Sequence, residues 1–244
     1  MKYGIIADVH ANLEALENAL KFLEAQKVDQ VLCLGDLVGY NADPVECTRL
    51  VRTRCSAVIQ GNHERMVLGA SLFGVRKETL DATEWTRNRL SPEDLKYLES
   101  LPEEAKVGNG ILLVHGSPRD KDEYILSTDV SRDNVTMLRQ KFPEVKICFF
   151  GHSHYPMVIG PPEVHTRFHE TRTVNLDKNR IYLVNPGSIG QPRDGCPLSS
   201  LAIFDEEAWT VTIHRLPYDI AATQKKIIDA GIDRKLASRL EVGK

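Results

Sequence analysis

Seven residues of types that commonly bind metals follow shortly after short apolar runs in this 244-residue sequence. They are Asp8, His10, Asp36, Asn62, His115, His152 and His154. Singly, an Asp in such a place is an ordinary turn or cap residue, but five of the eight histidines share this placement, His63 being the fifth. Carboxylate, amide and imidazole ligands together suit a pair of divalent metals, which can hold a phosphoryl group and activate water. The joint pattern therefore predicts one shared metal site.

The apolar runs that precede these residues predict five buried strands, whose ends must bring the ligands together. The runs cover residues 3–7, 31–34, 57–59, 111–114 and 147–150. In open α/β sheets, ligands bind beyond the carboxyl ends of the strands. In extended chain, residues two apart point to the same side. We therefore expect Asp8 with His10, and His152 with His154, to face one pocket from extended backbone.

Helical patterns alternate with the predicted strands through the first half of the chain, as in an α/β fold. Asn12 is a predicted N-cap, because an apolar stripe at helical spacing follows it. The pattern is largely helical over about 64–104 and restarts at Ser91-Pro92, a strong helix-start signal. Another helix is predicted over about 131–141.

The last quarter of the chain changes character. Strands are predicted at 181–184, 200–204 and 209–216, and we expect them to form a β meander. The sequence has no linker and no internal repeat. We therefore predict a single domain over 1–244, with a helical insertion at about 64–104 and C-terminal helices at about 220–240.

Composition and charge narrow the possible partners. The chain is 42% hydrophobic and 27% charged with a net charge of −3. This slightly negative charge does not favour binding to an anionic membrane surface or to long nucleic acid. A small phosphorylated substrate stays compatible with this charge. The five cysteines are odd in number and show no paired spacing, so we expect reduced thiols and a cytoplasmic location. The sequence does not indicate an oligomeric state.

The ordered ligand set resembles the calcineurin-like metallophosphoesterase superfamily. The matching motifs are Asp8-x-His10, Gly35-Asp36, Gly61-Asn62-His63-Glu64, His115 and Gly151-His152-x-His154. The stretches at 185–188 and 191–193 look like the tail of a small prokaryotic phosphodiesterase branch. The resemblance implies a four-layer fold, in which a sandwich of two β-sheets is flanked by helices on both sides.

The resemblance also implies a role for each ligand. One divalent metal would be held by Asp8, His10, Asp36 and His154, and the other by Asp36, Asn62, His115 and His152. Asp36 would bridge the two metals, and a metal-bridging hydroxide would attack phosphorus. Asn62 and His63 would bind the phosphoryl group, with His63 as the catalytic partner that can protonate the leaving oxygen. Manganese fits this ligand set best, and iron, zinc or nickel would also fit.

One departure from the family pattern bears on the substrate. Gly39 and Tyr40 stand where superfamily phosphatases carry an Asp, which orients the active-site His, and a phosphate-binding Arg. A diester with a good leaving group depends less on these groups, so we expect hydrolysis of a small phosphodiester. A phosphomonoesterase, a nucleotide or dinucleotide hydrolase, and a non-catalytic scaffold of the same fold are the alternatives.

A few residues outside the motifs have two possible interpretations. Arg193 could contact a substrate phosphate, or it could pair on the surface with Asp194 or solvent. Tyr40 could stack on a leaving group, or it could only close a loop. Arg119 could lie at the rim of the pocket or on the solvated surface, and Glu64 could support the ligands. The remaining histidines are expected to be surface residues (His165, His169) or structural (His214).

Overall fold

A computed structural model describes residues 1–71, 74–160, 162–166 and 168–244. The strands are β1 (Lys2–Ile6), β2 (Gln30–Cys33), β3 (Ala57–Val58), β4 (Glu104–Val107), β5 (Ile111–Val114), β6 (Ile147–Phe149), β7 (Met157–Gly160), β8 (Glu163–His165), β9 (Arg172–Asn175), β10 (Tyr182–Asn185), β11 (Ser199–Asp205) and β12 (Thr210–Leu216). The helices are α1 (Leu13–Ala25), α2 (Pro44–Arg54), α3 (Asn62–Val67), α4 (Lys77–Arg87), α5 (Pro92–Glu99), α6 (Thr128–Lys141), α7 (Ile220–Asp229) and α8 (Arg234–Val242).

The strands form two mixed sheets of six strands each within the described residues. The first sheet has the order β3-β2-β1-β11-β12-β9, and the second has the order β4-β5-β6-β10-β7-β8. Strands β1, β2 and β3 are parallel to one another, and so are β5, β6 and β10. The carboxyl ends within each parallel group therefore lie at one edge of their sheet, and every strand of the two groups except β10 precedes ligand residues.

Apolar side chains fill the space between the sheets and cover their outer faces. Ile5 and Leu32 of the first sheet and Leu113 and Phe149 of the second belong to one buried cluster, which forms the core of the sandwich. Helix α1 covers the outer face of the first sheet, and α6 covers the outer face of the second. The predicted four-layer fold is therefore confirmed.

The N-termini of two helices, α1 and α5, are capped by the side chains that the sequence predicts. The Asn12 side chain accepts a hydrogen bond from the Ala15 N–H and so caps α1. Ser91 accepts from the Asp94 N–H, and the Asp94 side chain accepts in return from the Ser91 N–H. This reciprocal capping box satisfies two N–H groups that the first turn leaves unpaired. Both starts therefore place their helices where the sequence predicts them.

The predicted β meander is wrong. Strand β10 pairs with β6 and β7 in the second sheet, whereas β11 and β12 pair with each other in the first. Strands β4, β8 and β9 lack an apolar run and are partly exposed, so no sequence signal marks them. The single-domain organisation stays a prediction, and the pairing of β11 with β1 across the length of the chain supports it.

The predicted helical insertion contains α3, α4 and α5, while Leu72 and Phe73 within it lie outside the described residues. All five cysteines are described and are free thiols. Across the described part of the chain, no helix is both long and apolar enough to cross a membrane.

Candidate functional site

The predicted ligands come together where the carboxyl ends of the two sheets meet. Two groups of buried side chains place one potential ligand atom each within 4.8 Å of the others. The first group, called cluster one, contains Asp8, His10, Asp36 and His154. The second, called cluster two, contains Asp36, His115 and His152. Asp36 belongs to both clusters, as a bridging carboxylate must.

Most of these ligands leave their strands through left-handed backbone. The φ angles are 53° at Asp8, 47° at His10, 53° at Asp36, 63° at His152 and 60° at His154. The expectation of extended backbone at these pairs is therefore wrong, although the side chains do share one pocket. Residues other than glycine are uncommon in this region because their Cβ is crowded there, and such conformations concentrate at functional sites.

Backbone carbonyls fix the orientation of three imidazole rings. The Nδ1 of His10 lies 3.1 Å from the Val38 oxygen, and that of His115 lies 2.7 Å from the Leu34 oxygen. The Nδ1 of His154 lies 2.5 Å from the Gln191 oxygen. A carbonyl only accepts hydrogen bonds, so each Nδ1 carries a proton, and each Nε2 is the ring nitrogen that faces the clusters and can bind a cation.

These Nε2 atoms lie close to other groups that accept hydrogen bonds. The Nε2 atoms of His10 and His154 are 3.2 Å apart. The Nε2 of His115 lies 2.9 Å from the Asn62 Oδ1 and 3.4 Å from the Asp36 Oδ2, and the buried Asp8 Oδ2 has no hydrogen-bond partner. Acceptors packed this closely repel each other unless a proton or cation lies between them. The residues present therefore fit divalent metals.

The electrostatics of the clusters favour the same conclusion. Burial raises the pKa of Asp8 to about 7 and lowers the pKa of His10 and His154 well below the usual range. Although burial opposes it, the Asp36 carboxylate raises the pKa of His115 to about 9. The site thus attracts positive charge to Asp36, and a divalent cation can replace the proton that His115 would otherwise hold.

The Glu64 carboxylate holds the loop that carries Asp36. It accepts hydrogen bonds from the N–H groups of Asp36 at 2.8 Å, Leu37 at 2.7 Å and Gly61 at 2.8 Å. Gly61 is required here, because a Cβ at that position would lie 2.1 Å from the Asp36 Oδ1. These contacts agree with the supporting role expected for Glu64.

His63 is buried beside cluster one, and glycine at position 39 makes room for it. Gly39 has a φ of 86°, and a Cβ there would lie 2.2 Å from the His63 Nδ1. That Nδ1 has no hydrogen-bond partner. The Tyr40 ring packs against His63 and His10, with centroid separations of 4.4 and 4.5 Å. Gly39 and Tyr40 therefore shape the surroundings of His63 without charging it.

A cavity of about 540 Å³ opens beside the clusters. Its lining includes Asn62, His63 and His152 from the predicted site, together with Tyr40 and Arg193. Arg193 donates to the Tyr40 hydroxyl at 3.3 Å, whereas Asp194 pairs with Arg215 instead. Of the two interpretations of Arg193, the structure therefore favours the position at the pocket.

Three further residues of the cavity lining were not predicted. Tyr124 stacks on the His152 ring at a centroid distance of 4.0 Å, and Arg76 and Arg239 line the same cavity. They stand in segments without a motif and come from three separate parts of the chain. No sequence signal could have joined them, because only the fold brings them to one cavity.

The remaining candidate residues lie away from the clusters. Arg119 forms ion pairs with Glu123 and Asp133, which favours the surface interpretation. His165 lies at the end of β8 in a hairpin with β7, and His169 is exposed. The His214 ring packs against Phe22 at 4.8 Å, as a structural residue would.

A two-sheet sandwich with such ligands at its meeting strand ends is the arrangement of metallophosphoesterases. The chain belongs to the calcineurin-like phosphoesterase superfamily, because the model of that superfamily's domain matches residues 1–208. The superfamily binds divalent metals, and membership supports a hydrolase of phosphoric esters.

Individual proteins show the same relationship over the full chain. An uncharacterized protein of Methanocaldococcus jannaschii is 37% identical over 99% of this chain and 98% of its own. The crystal structure of a metallophosphoesterase from Sphaerobacter thermophilus is 38% identical and covers 100% of this chain and 99% of its own, with a TM-score of 0.86. A hypothetical protein from Pyrococcus horikoshii, 20% identical over 100% of this chain and 98% of its own with a TM-score of 0.79, shares the fold.

Proposed function

We propose that this protein is a dinuclear metal-dependent phosphodiesterase that hydrolyses a small phosphodiester. The observation that carries the proposal is the set of acceptors that face one another without donors. The Nε2 atoms of His10 and His154 are the clearest case, at 3.2 Å with both Nδ1 atoms committed to carbonyls. Such a site is stable when cations occupy it.

The ligands divide between two cations that share Asp36. Cluster one would hold one cation, and cluster two together with the amide oxygen of Asn62 would hold the other. The chemistry that bound divalent cations supply in such a site is Lewis acidity toward phosphoryl oxygens and a lowered pKa of water. Manganese is our first choice, with iron, zinc and nickel as the other metals that suit these ligands.

The protein's own groups favour a diester over a monoester. Burial lowers the pKa of His63 to about 4, so the ring is neutral near pH 7 and binds or donates as a neutral group. Gly39 offers no carboxylate that would charge it. A diester carries one negative charge and can have a good leaving group, so it depends less on a charged acid. Arg193, whose buried Nε has no partner, supplies positive charge beside the phosphate.

The proposal is tested with metal-stripped protein and two aryl substrates. Bis(p-nitrophenyl) phosphate and p-nitrophenyl phosphate are assayed with no metal and after addition of manganese, iron, zinc or nickel. We expect metal-stimulated turnover, faster for the diester. Faster monoester turnover would favour the phosphomonoesterase alternative. Absence of turnover with every metal, in protein that elemental analysis shows to be metal-free, would favour the non-catalytic scaffold.

A further inference from the structure

Three arginines line the cavity beside the clusters. They are Arg76, Arg193 and Arg239, and they come from separate segments of the chain. Arg76 immediately precedes α4, Arg193 follows β10, and Arg239 lies in α8. Buried apolar residues of α4 and α8 belong to one cluster with Tyr40, so packing holds the segments that carry these side chains.

Within the described residues, none of the three guanidinium groups forms an ion pair with an Asp or Glu side chain. Asp122 is the carboxylate that lines the cavity there, and it pairs with Arg65 instead. Arg193 donates to neutral groups, the Tyr40 hydroxyl and the Gln191 amide oxygen at 3.1 Å. Arg239 donates through Nε to the main-chain oxygen of Lys244, the last residue of the sequence, at 2.6 Å, and its two terminal nitrogens donate to no other group among the described residues.

Holding these groups together has an electrostatic cost. Burial lowers the pKa of Arg239 most, the positive charges of Arg193 and Arg76 lower it further, and Tyr40 and Glu78 oppose this decrease. Like charges in a partly buried cavity are stabilised when an anion binds between them. Guanidinium groups match phosphate oxygens particularly well, because their planar N–H groups can bind two oxygens at once.

One scissile phosphate does not account for three arginines. The metals would already neutralise that phosphate, and Arg193 is the arginine that contacts Tyr40 next to His63. Arg76, just before α4, and Arg239, in α8, line the same cavity. A cavity of about 540 Å³ falls within the range of pockets that hold a ligand of nucleotide size, and Tyr124 and Tyr40 offer aromatic faces within it.

We propose that the substrate carries a second phosphate group, which binds to Arg76 and Arg239 while the scissile phosphate lies at the metals. This inference rests on the proposed function for the position of the scissile group. It goes further by naming the substrate class, a nucleotide-sized phosphoric ester with an additional phosphate. Arg76 and Arg239 are the residues that would select it.

The test is equilibrium binding of two product-like nucleotides to the full chain reconstituted with manganese. Adenosine 5′-monophosphate and adenosine 3′,5′-bisphosphate are compared by isothermal titration calorimetry, because they differ only in the second phosphate. We expect the bisphosphate to bind at least about ten-fold more tightly, since charge-assisted hydrogen bonds to two arginines add to its affinity. Equal affinity of the wild-type protein for the two nucleotides would overturn the proposal.

Variants assign the preference to the two arginines. Arg76→Gln and Arg239→Gln should each lower the affinity ratio toward one. Arg132→Gln is the matched control, because Arg132 is an exposed helical arginine paired with Asp129, and it should keep the wild-type ratio. Partial unfolding of a variant lowers the number of binding sites but leaves the ratio readable. A ratio that survives both pocket substitutions would contradict the assignment.

Failure of this inference is separable from failure of the proposed function. If metals stimulate diester turnover but the affinities are equal, the second phosphate site is wrong and the phosphodiesterase stands. If the affinity ratio and its dependence on Arg76 and Arg239 hold while no ester is hydrolysed, the binding site stands and the catalytic proposal is wrong.

Discussion

Asp36 is the side chain on which both clusters depend. Its Oδ2 lies 3.6 Å from the His10 Nε2 and 3.4 Å from the His115 Nε2, and its Oδ1 accepts from the His63 N–H at 2.8 Å. Although burial opposes it, the imidazoles of His115 and His63 hold the pKa of Asp36 well below its usual range. A full negative charge is therefore available where two cations would meet.

We expect Asp36→Asn to abolish most metal-stimulated diester turnover. The amide keeps the size of the side chain but removes the charge that both cations need. Loss of residues that only support a metal ligand costs about 10- to 100-fold in metal affinity or activity, so loss of a shared ligand should cost about 100-fold or more. Initial rates and elemental analysis measure the two effects. Asp81→Asn, at an exposed ion pair with Lys77, is the control, and equal rates in the two variants would contradict the role of Asp36.

A substitution at Gly39 tests whether turnover depends on the position of the His63 ring. A Cβ at this position would lie 2.2 Å from the His63 Nδ1, so Gly39→Ala should displace the His63 ring. A displacement near 1 Å can cost about 100-fold in rate, and we expect a fall of about 10- to 100-fold in turnover number. Metal content should stay unchanged, because His63 belongs to neither cluster.

Gly231→Ala separates the clash at position 39 from simple backbone strain. Gly231 has a comparable φ of 74°, but a Cβ there would meet no atom within 4 Å. This variant should lose some stability and keep its turnover number. Equal turnover in the two alanine variants would show that His63 does not need the space beside Gly39.

Residue types could be predicted at this scale, whereas their conformations could not. The seven ligands follow apolar runs and carry recognisable chemistry, so the sequence predicts them together. The left-handed backbone at Asp8 and His10 leaves no sequence signal, because neither residue is a glycine. Arg76 and Arg239 were missed for a different reason: each is an ordinary surface type until the fold brings it to the cavity.

At the scale of elements, helix α3 and the loop after β2 are joined by one carboxylate. Glu64 lies in α3. Its carboxylate accepts hydrogen bonds from the N–H groups of Asp36 and Leu37, in the loop after β2, and of Gly61, just before α3. Burial, followed by the charge of Asp36, raises the pKa of Glu64 to about 7. The hydrogen bonds to backbone N–H groups oppose this increase and keep the loop in place.

Glu64→Gln should destabilise the protein and loosen the loop. The amide NH2 cannot accept, so at least one buried backbone N–H loses its partner at a cost of about 1–3 kcal/mol. Urea unfolding should report this loss, together with a lower turnover number. Glu99→Gln in α5, at an exposed position, is the control. A free energy of unfolding that matches the control would contradict the importance of these hydrogen bonds.

The sequence predicts the strands that carry ligands better than the others. Buried parallel strands such as β5 and β6 are continuous apolar runs, which is a strong signal. Strands β8 and β9 are short and half-exposed, so their existence depends on pairing with a neighbour. The pairing itself depends on the tertiary fold, which local sequence does not encode.

At the scale of the whole molecule, the site exists because the two sheets pack face to face. Phe204 of β11 is fully buried and lies 6.1 Å from the ring of Phe149 in β6. It also contacts Tyr3 of β1 and Trp209. The contact between Phe204 and Phe149 connects the sheet that carries Asp8 and Asp36 with the sheet that carries the cluster-two histidines.

Phe204→Ala should therefore weaken the whole sandwich. Removal of a buried phenylalanine costs about 3–5 kcal/mol, because apolar contact is lost and a cavity remains. Thermal and urea unfolding should show this decrease as a single transition. Leu126→Ala, at a residue that is 61% exposed, should change stability little. Comparable effects of the two substitutions would argue against a shared core between the sheets.

The two-sheet architecture was predicted through the resemblance and not through strand patterns alone. The last three predicted strands look alike in sequence, so their separation into two sheets could not be foreseen. That separation follows from β10 lying beside β6, where its apolar side chains join the second sheet.

The measurement that bears most directly on the proposed function is a metal titration of diester turnover. Metal-stripped protein is titrated with manganese while hydrolysis of bis(p-nitrophenyl) phosphate is followed. We expect turnover to rise from the background rate and to saturate at two metals per chain, since the two clusters share Asp36. Turnover that is independent of metal, or a metal-loaded protein without turnover, would contradict a dinuclear metal-dependent phosphodiesterase.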